Sequence, residues 1–262
     1  MLLFFDIDGT LIDDRHRLPT SVKPAMEAAS RRGHRLIINT GRTFCNMDHR
    51  LDELPLDGWI MGCGTRILWH GETLQSREIP REDSLRLRDV FLELEIPVVY
   101  ECDTGMYFDP EAPGWPDISH FREFARRRGL DREVDGRDPE FRVVKMFSFA
   151  KDRDVIRQLE RRTAEIGMPF VSIDRGNASW EIVPEGYTKG TGIEVLRKRL
   201  GVPLADCYAF GDSTNDLDML RHVPHSIAMG NAPEEIKSIC SFVTSRPEED
   251  GIARALEHMG LI

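Results

Sequence analysis

The sequence predicts an α/β protein in which a core built on a parallel sheet is interrupted by an inserted α+β domain. Short apolar runs alternate with helical patterns up to about residue 80, and the same alternation returns at Gly186. Between these stretches, hairpin patterns are mixed with helices. Strands that alternate with helices along a chain are typical of a parallel sheet. We therefore expect a core of residues 1–80 and 186–262 and an inserted domain of residues 81–185.

The first half of the core is predicted to contain three strands separated by two helices. Thr20 and Ser21 are candidates for the N-cap of the first helix, because their hydroxyls can accept a hydrogen bond from an unsatisfied backbone N–H. Gly33 is expected to end that helix, and Thr43 to cap the next one. The predicted strands and helices are, in chain order, 2–5, 22–32, 36–38, 43–54 and 59–61.

The inserted domain is predicted to combine a hairpin with helices and further strands. The hairpin is expected because two β-rich runs flank Asp103-Thr104-Gly105, a sequence that favours a tight turn. Two arginine runs, 126–128 and 161–162, are interpreted as solvated helix faces. The predicted helices are 84–95, 121–128 and 153–166, and the predicted strands are 98–101, 106–108, 143–149, 170–173 and 180–183.

From Gly186 onwards the pattern of the parallel sheet returns. Thr188 precedes a helix that is expected to run to Leu200, with Gly201 behind it as the C-terminal cap. The strands predicted after this helix are 207–210, 226–229 and 242–244, and a C-terminal helix follows them.

Two aspartates and a glycine directly follow the first predicted strand. Alternate residues of a strand point the same way, so the carboxylates of Asp6 and Asp8 begin on one face and repel each other. A divalent cation could absorb that repulsion, or one carboxyl could stay protonated and serve as a proton donor. A calcium loop of the EF-hand type is excluded, because its glycine at the sixth position and its closing glutamate are missing. An ordinary junction between strand and turn remains the alternative.

Polar residues also follow the other predicted strands of the core. In an open parallel sheet, ligands bind beyond the carboxyl ends of the strands, at the point where the strand order reverses. Acidic groups, a hydroxyl, backbone amides and a lysine delivered to that edge would suit magnesium together with a phosphoryl group. The residues expected there after the strands are Asp6, Asp8, Thr40, Gly41, Asp212, Asn215 and Asp216.

The composition indicates a globular protein with an acidic balance. Of 262 residues, 40% are hydrophobic and 31% charged, and the formal net charge is −10. A negative balance argues against non-specific binding of nucleic acid, and an anionic substrate would need locally placed cations. The N-terminal apolar run is too short for a signal peptide, and no stretch approaches a membrane span.

The five cysteines form no C-x-x-C pair and are widely spaced. This pattern favours buried or incidental thiols in a reducing cytosol over a zinc site or a disulfide framework. We therefore expect a cytoplasmic protein without a membrane or nucleic-acid partner.

Four segments of the chain, taken in order, resemble the motifs of the haloacid dehalogenase superfamily, and specifically its Cof-type phosphatases of subfamily IIB. Asp6-Ile7-Asp8-Gly9-Thr10 resembles the first motif and Thr40 the second. Lys189 resembles the third, and Gly211-Asp212-Ser213-Thr214-Asn215-Asp216 the fourth. The resemblance covers nearly the whole chain. It implies a Rossmann-like core and identifies the insertion as a cap domain of type C2B, which would act as a mobile lid.

The resemblance also implies a role for each motif residue in phosphate transfer. Asp6 would attack phosphorus and form an aspartyl-phosphate, while Asp8 would protonate the leaving alcohol and later take a proton from water. Thr40 and the Gly41 amide would bind phosphate oxygens, and Lys189 would offset charge between nucleophile and phosphate.

The implied cofactor is Mg²⁺. By the same resemblance it would be held by the Asp6 carboxylate, the Asp8 main-chain carbonyl and Asp212. Asn215 would also contact Lys189 or the phosphate. The residues expected to support this arrangement are Asn215, Asp216 and Asn231.

One segment departs from the pattern of the Cof-type relatives. They usually carry Asn-Gly after the third core strand, where this chain has Cys63-Gly64-Thr65. The asparagine amide could contact the substrate or the junction with the cap. The departure leaves the predicted phosphoryl-transfer residues in place and bears on the choice of substrate.

Three functions are compatible with these residues. The first is a magnesium-dependent phosphatase acting on a small phosphorylated metabolite, of the sugar phosphate, pyridoxal phosphate or flavin mononucleotide class. The second is a phosphomutase of the same superfamily, and the third is a non-catalytic phosphate-sensing module. The full fourth motif favours the hydrolase, and the paired Asp6 and Asp8 disfavour a simple sensor. A monomer and a homodimer both remain open.

Overall fold

All 262 residues are described by the computed structural model, and the chain divides into two units. The first unit comprises Met1–Gly41, Asp48–Ser76 and Thr188–Ile262, and the second comprises Arg42–Met47 and Arg77–Tyr187. No helix in the chain combines the length and the apolar character that crossing a membrane requires.

The strands and helices are numbered here in chain order. The strands are β1 Leu2–Phe5, β2 Arg35–Asn39, β3 Gly58–Met61, β4 Arg66–Trp69, β5 Glu72–Ser76, β6 Val98–Cys102, β7 Met106–Phe108, β8 Asp131–Glu133, β9 Val143–Phe149, β10 Phe170–Gly176, β11 Ser179–Pro184, β12 Cys207–Gly211, β13 His225–Ala228 and β14 Phe242–Val243. The α-helices are α1 Val22–Arg31, α2 Arg81–Glu93, α3 Pro116–Arg127, α4 Arg153–Glu165, α5 Lys189–Leu200, α6 Leu217–His222, α7 Glu234–Lys237 and α8 Gly251–His258.

The first unit is organised on an eight-stranded sheet in the order β14-β13-β12-β1-β2-β3-β4-β5. The strands from β14 to β3 are parallel, while β4 and β5 run antiparallel at one edge. The chain leaves β1 towards β2 on one side and later returns to β12 on the other. The carboxyl end of β1 is therefore the point where the strand order reverses, which is where ligands bind in sheets of this kind.

Apolar side chains on one face of this sheet pack against α5 and α6. Phe4, Ile37 and Ile60 come from three adjacent strands and are fully buried in one cluster with Ile193 and Met219 of the helices. The burial of these side chains explains why the strands are near-continuous apolar runs, as expected where both faces of a parallel sheet are covered. The polar residues that end the strands are thereby held at one edge of a rigid sheet.

The predicted helix from Thr43 to about Leu54 is wrong. The segment instead forms two short 3₁₀ helices, Phe44–Asn46 and His49–Glu53, separated by the extended backbone of Met47. The side chain of Asp48 accepts a hydrogen bond from the backbone N–H of Arg50. Local side-chain bonding of this kind competes with continuation of a helix, so a new turn starts at that point.

The segment Arg42–Met47 belongs to the second unit, although residues 1–80 were assigned to the core. Thr43 Oγ1 donates to Glu101 Oε2 at 3.1 Å. Arg128 donates to Asn46 Oδ1 at 2.6 Å and to the main-chain oxygen of Met47 at 2.6 Å. These partners are distant in sequence, so no local pattern indicates the assignment.

The hairpin β4–β5 was not predicted. Its two connecting residues, His70 and Gly71, have φ values of 47° and 82°. Positive φ at both central residues is the signature of a turn whose twist matches that of the flanking strands. The strands themselves are half-exposed and only partly apolar, which is why the sequence signal is weak.

The second unit is built on a six-stranded sheet in the order β10-β11-β9-β6-β7-β8. One face of this sheet buries Tyr100 and Met146 against α2 and α4, and the other packs Val99 and Phe108 against α3. Lys145 lies buried beside two carboxylates, with its Nζ 2.5 Å from Glu181 Oε1 and 3.1 Å from Glu101 Oε1. The strands predicted at 98–101, 106–108 and 143–149 are present here.

We expect Gly192→Ala to destabilise the first unit. A Cβ at Gly192, near the start of α5, would lie 2.6 Å from Cγ2 of Ile60 in β3. In an open helical position the same change stabilises by about 1 kcal/mol. Here the steric overlap outweighs that gain, so the free energy of unfolding should fall by about 1–3 kcal/mol. Urea unfolding followed by circular dichroism measures the change.

The matched control is the double variant Ile60→Ala/Gly192→Ala. Truncation of Ile60 removes Cγ2, so Gly192→Ala should be neutral or stabilising in that background. If the losses of the two single variants simply added, the proximity of Gly192 to Ile60 would not be the cause.

Candidate active site

The loop after β1 carries the two aspartates. Asp6 is 4% exposed, and its backbone N–H donates to the carbonyl of Phe210 at 3.0 Å, which ties it to β12. Asp8 is exposed. Gly9 has a φ of 81°, and a side chain there would overlap the Asp212 carboxylate. The glycine therefore allows the loop to pass directly beside Asp212.

Thr40 and Gly41 follow β2 and are buried. The Thr40 N–H donates to the carbonyl of Ile60 at 2.9 Å, and the Thr40 carbonyl accepts from the N–H of Cys63 at 3.1 Å. These bonds join the carboxyl ends of β2 and β3. The position of Thr40 is therefore set by the sheet rather than by a free loop.

Lys189 is the first residue of α5 and is 1% exposed. Its Nζ lies 2.5 Å from Asp6 Oδ1 and 2.5 Å from Asp216 Oδ1. The helix starts there because Thr188 caps it, with the side chain of Thr188 accepting from the N–H of Thr191 at 3.0 Å. The cap thus places the lysine between two carboxylates of other segments.

The loop after β12 is organised by the carboxylate of Asp216. Its Oδ2 accepts from the backbone N–H of Asp212 at 2.9 Å and from that of Ser213 at 3.0 Å, while Oδ1 faces Lys189. Asp216 is fully buried. It therefore shapes the loop and holds the lysine at the same time, as expected of a supporting residue.

The carboxylate of Asp212 is held by two side chains. Oδ1 accepts from Thr10 Oγ1 at 3.3 Å, and Oδ2 accepts from Asn231 Nδ2 at 3.0 Å. Asn231 Nδ2 also lies 3.0 Å from the carbonyl of Gly9. Asn231 thus connects the loop after β1 to Asp212.

Asn215 and Thr10 also make side-chain hydrogen bonds in the two loops. Asn215 Oδ1 accepts from Ser213 Oγ at 2.9 Å, a bond within its own loop. Thr10, the last residue of the first motif, contacts Asp212, a role that the sequence analysis missed. Its position four residues after Asp6 was the available signal, because the turn at Gly9 folds the loop back on itself.

The electrostatics of the site are dominated by burial and by an excess of negative charge. Burial, above all, raises the pKa of Asp6 to about 7, and the neighbouring Asp216 and Asp8 add to the effect while Lys189 opposes it. Burial also disfavours the charged form of Lys189, but the carboxylates of Asp216 and Asp6 hold its pKa above the ordinary lysine value. The lysine is therefore a fixed positive charge.

The carboxylates suit a hard divalent cation. Oxygen atoms of Asp6, Asp212 and Asp216 lie within 4.8 Å of one another. Lys189 supplies one positive charge against three carboxylates, which leaves an excess that a cation would offset. In addition, Asn231 Oδ1 is buried without a hydrogen-bond partner beside this group, where it could accept from a metal-bound water. The residues present therefore fit Mg²⁺.

The comparisons with known proteins agree on one family. The model of the haloacid dehalogenase-like hydrolases matches residues 3–256. The HMP-PP phosphatase of Klebsiella pneumoniae (strain 342) is 30% identical over 90% of this chain and 86% of its own length. Phosphatase YwpJ of Bacillus subtilis (strain 168) is 25% identical over 98% of this chain and 99% of its own length.

Solved structures give the same result. The HAD subclass IIB sugar phosphatase BT4131 superposes with a TM-score of 0.82 at 28% identity, over 100% of this chain and 99% of its own. The chain therefore belongs to the haloacid dehalogenase-like hydrolases. Within that family it is a phosphatase of the Cof-type subclass IIB. The predicted α/β fold with a parallel sheet is confirmed.

The raised pKa of Asp6 predicts a pH-dependent stability of the metal-free protein. Because the folded-state pKa is about 7 and the unfolded value about 3.8, the folded state binds an extra proton between these values. The stabilisation that protonated Asp6 provides is fully present below the unfolded-state pKa of about 3.8, and it is lost as the pH rises through the folded-state pKa of about 7. Relative to Asp6→Asn, the free energy of unfolding should fall by roughly 2–4 kcal/mol from pH 5 to pH 8.

Urea unfolding in EDTA at several pH values provides the measurement. Asp14→Asn is the control, since Asp14 is exposed and the variant should follow the wild-type curve. Parallel curves for wild type and Asp6→Asn would show that Asp6 titrates at an ordinary pKa.

Proposed function

We propose that the protein is a Mg²⁺-dependent phosphatase that hydrolyses small phosphomonoesters through an aspartyl-phosphate on Asp6. The observation that carries the proposal is the position of Lys189, which is buried at 2.5 Å from both Asp6 and Asp216, with Asp212 in the same carboxylate group. A buried nucleophile beside a fixed cation, next to further carboxylates, provides what attack on a phosphate ester requires.

The proposed metal ligands are the carboxylates of Asp6 and Asp212 and the main-chain carbonyl of Asp8. When bound, Mg²⁺ would neutralise charge on the phosphoryl oxygens and on the nucleophile. Asp216 belongs to the same carboxylate group, but its two oxygens already accept from Lys189 and from backbone amides. We therefore assign it to support rather than to metal coordination.

The chain's own residues account for the two chemical steps. In the first, an Asp6 oxygen forms a bond to phosphorus while the bond to the leaving oxygen breaks, and Asp8 gives that oxygen a proton. In the second, Asp8 takes a proton from water, the water oxygen bonds to phosphorus, and the bond to Asp6 breaks. Asp8 is exposed while Asp6 is buried, in keeping with proton exchange by one and attack by the other.

Thr40, Gly41 and Lys189 are proposed to bind the transferring phosphate. The hydroxyl and the amide would donate to its oxygens, while the ammonium offsets their charge. These groups are the locally placed cation and donors that a chain of net charge −10 needs for an anionic substrate.

The proposed substrate is a small phosphorylated metabolite in the cytoplasm. Support comes from the relatives, which include an HMP-PP phosphatase and a sugar phosphatase. All five cysteines are free thiols, which suits a reducing compartment. We propose that the second unit, residues 77–187 with 42–47, determines which leaving group is accepted.

Asp6→Asn tests the proposed chemistry directly. The change is nearly isosteric but removes the nucleophilic charge, so phosphate release should fall by at least about a thousandfold while the protein stays folded. Release of inorganic phosphate from a panel of phosphorylated metabolites with Mg²⁺ provides the measurement, and EDTA should abolish the wild-type activity. Asp14→Asn serves as the control. Turnover by Asp6→Asn at a large fraction of the wild-type rate would contradict the assignment of the nucleophile.

Asp8→Asn separates the two aspartates. A general acid supplies about a hundred- to ten-thousandfold, and it matters least when the leaving group is already good. We therefore expect kcat/KM to fall much more for an alkyl phosphate than for an activated aryl phosphate. Equal losses for both substrates would show that Asp8 is not the acid.

A further inference from the structure

A buried asparagine lies beside the active site without an assigned role. Asn39 is the last residue of β2 and is 0% exposed. Its Nδ2 donates to the main-chain carbonyl of Lys189 at 3.0 Å and lies 3.5 Å from Sδ of Met219. Its Oδ1 is buried and has no hydrogen-bond partner. This side chain therefore joins β2 to the first residue of α5.

Asn39 occupies a position where an apolar side chain would be expected. Ile37, two residues earlier on the same strand, packs in the apolar layer between the sheet and α5. A buried amide whose oxygen has no hydrogen-bond partner lowers the stability of the folded state. The stability of the apolar layer does not explain an asparagine at this position, because a buried apolar side chain would leave no polar atom without a partner.

The bond of Asn39 acts at the residue that carries the proposed catalytic cation. Lys189 Nζ sits 2.5 Å from the oxygens of Asp6 and Asp216, so a small shift of its backbone would break one of these contacts. Thr40, the proposed phosphate ligand, follows Asn39 directly in the chain. The amide of Asn39 thus links the start of α5 to the strand end that presents Thr40.

Two glycines allow the start of α5 to come close to the sheet. A Cβ at Gly64 would lie 2.5 Å from the carbonyl of Thr188, and one at Gly192 would lie 2.6 Å from Ile60. The absence of these side chains permits the close approach but does not hold it. The hydrogen bond from Asn39 is attractive and directional, so it sets the distance between β2 and the start of α5.

We propose that Asn39 is a positioning residue that places Lys189 for phosphoryl transfer, through its hydrogen bond to the Lys189 carbonyl. The inference rests on the proposed function, which gives Lys189 its catalytic part. Because the charge of Lys189 is needed most when negative charge shifts between Asp6 and the phosphoryl group during transfer, loss of the Asn39 hydrogen bond should lower kcat more than it raises KM.

The test is Asn39→Leu, which keeps the branched skeleton of the side chain and removes the hydrogen bond. Displacement of a catalytic group by about 1 Å costs up to about a hundredfold, so we expect kcat to fall about 10- to 100-fold with KM changed less than about threefold. Assays use the full-length protein with Mg²⁺ and an activated aryl phosphate. Thermal unfolding should stay cooperative.

A double-mutant cycle with Lys189→Ala shows whether Asn39 acts through the lysine. In the Lys189→Ala background, Asn39→Leu should change kcat/KM by less than about twofold. A residue with a merely structural role would lower activity by the same factor in both backgrounds. If the two losses multiplied in this way, the proposal would be overturned.

Hydrogen exchange separates this proposal from the proposed function. The amides in the first turn of α5 should exchange faster in Asn39→Leu than in the wild type, whatever reaction is catalysed. If Lys189→Ala kept full activity, the catalytic role proposed for Lys189 would be wrong. Faster exchange in Asn39→Leu would still show that Asn39 stabilises the start of α5. Unchanged exchange would overturn the positioning role.

Two further variants serve as a control and as a second test of the hydrogen bond. Ser226→Ala removes a buried hydroxyl of β13 that accepts from the backbone N–H of Ser241, and it should leave kcat unchanged. Asn39→Ala should reproduce the loss in kcat seen with Asn39→Leu. Wild-type kcat in either Asn39 variant, or loss of cooperative unfolding in both, would overturn the proposal.

Discussion

The structure of the active site depends on one buried ion-pair arrangement, in which Lys189 is enclosed by Asp6 and Asp216. A buried ammonium is tolerated only when opposite charges and hydrogen bonds compensate for the lost water. Its two partners come from the loops after β1 and β12, while Lys189 opens α5. Three distant segments of the chain must therefore meet in register before the charge is satisfied.

The strand order makes that meeting possible. Because β1 lies between β12 and β2, the loops that follow all three strands open at the same edge of the sheet. Burial, together with the neighbouring carboxylates of Asp216 and Asp8, raises the pKa of Asp6, and the grouping of Asp6, Asp212 and Asp216 suits a divalent cation. The fold thus concentrates carboxylates at the carboxyl end of β1.

Small residues allow the backbones to approach at this edge. Side chains at Gly9 and Gly211 would overlap the carboxylates of Asp212 and Asp216, respectively. Around these points, Thr10 and Asn231 hold Asp212, and Asn39 holds the start of α5. The reacting groups are therefore surrounded by residues whose own positions are determined by strand ends and helix caps, as precise catalysis requires.

The sequence by itself determined the strands of the parallel sheet and the extent of α5, because these rest on local periodicity and on neighbouring residues. The residues of the four motifs were named from the sequence because they resemble those of a known family. The tertiary structure alone decided which groups meet. Lys189 is 183 residues from Asp6 and 150 residues from Asn39, so no local pattern shows either contact. For the same reason the sequence does not predict that residues 42–47 belong to the second unit, where the Thr43 hydroxyl donates a hydrogen bond to Glu101. Such contacts depend on packing and strand order, which short-range propensities do not encode.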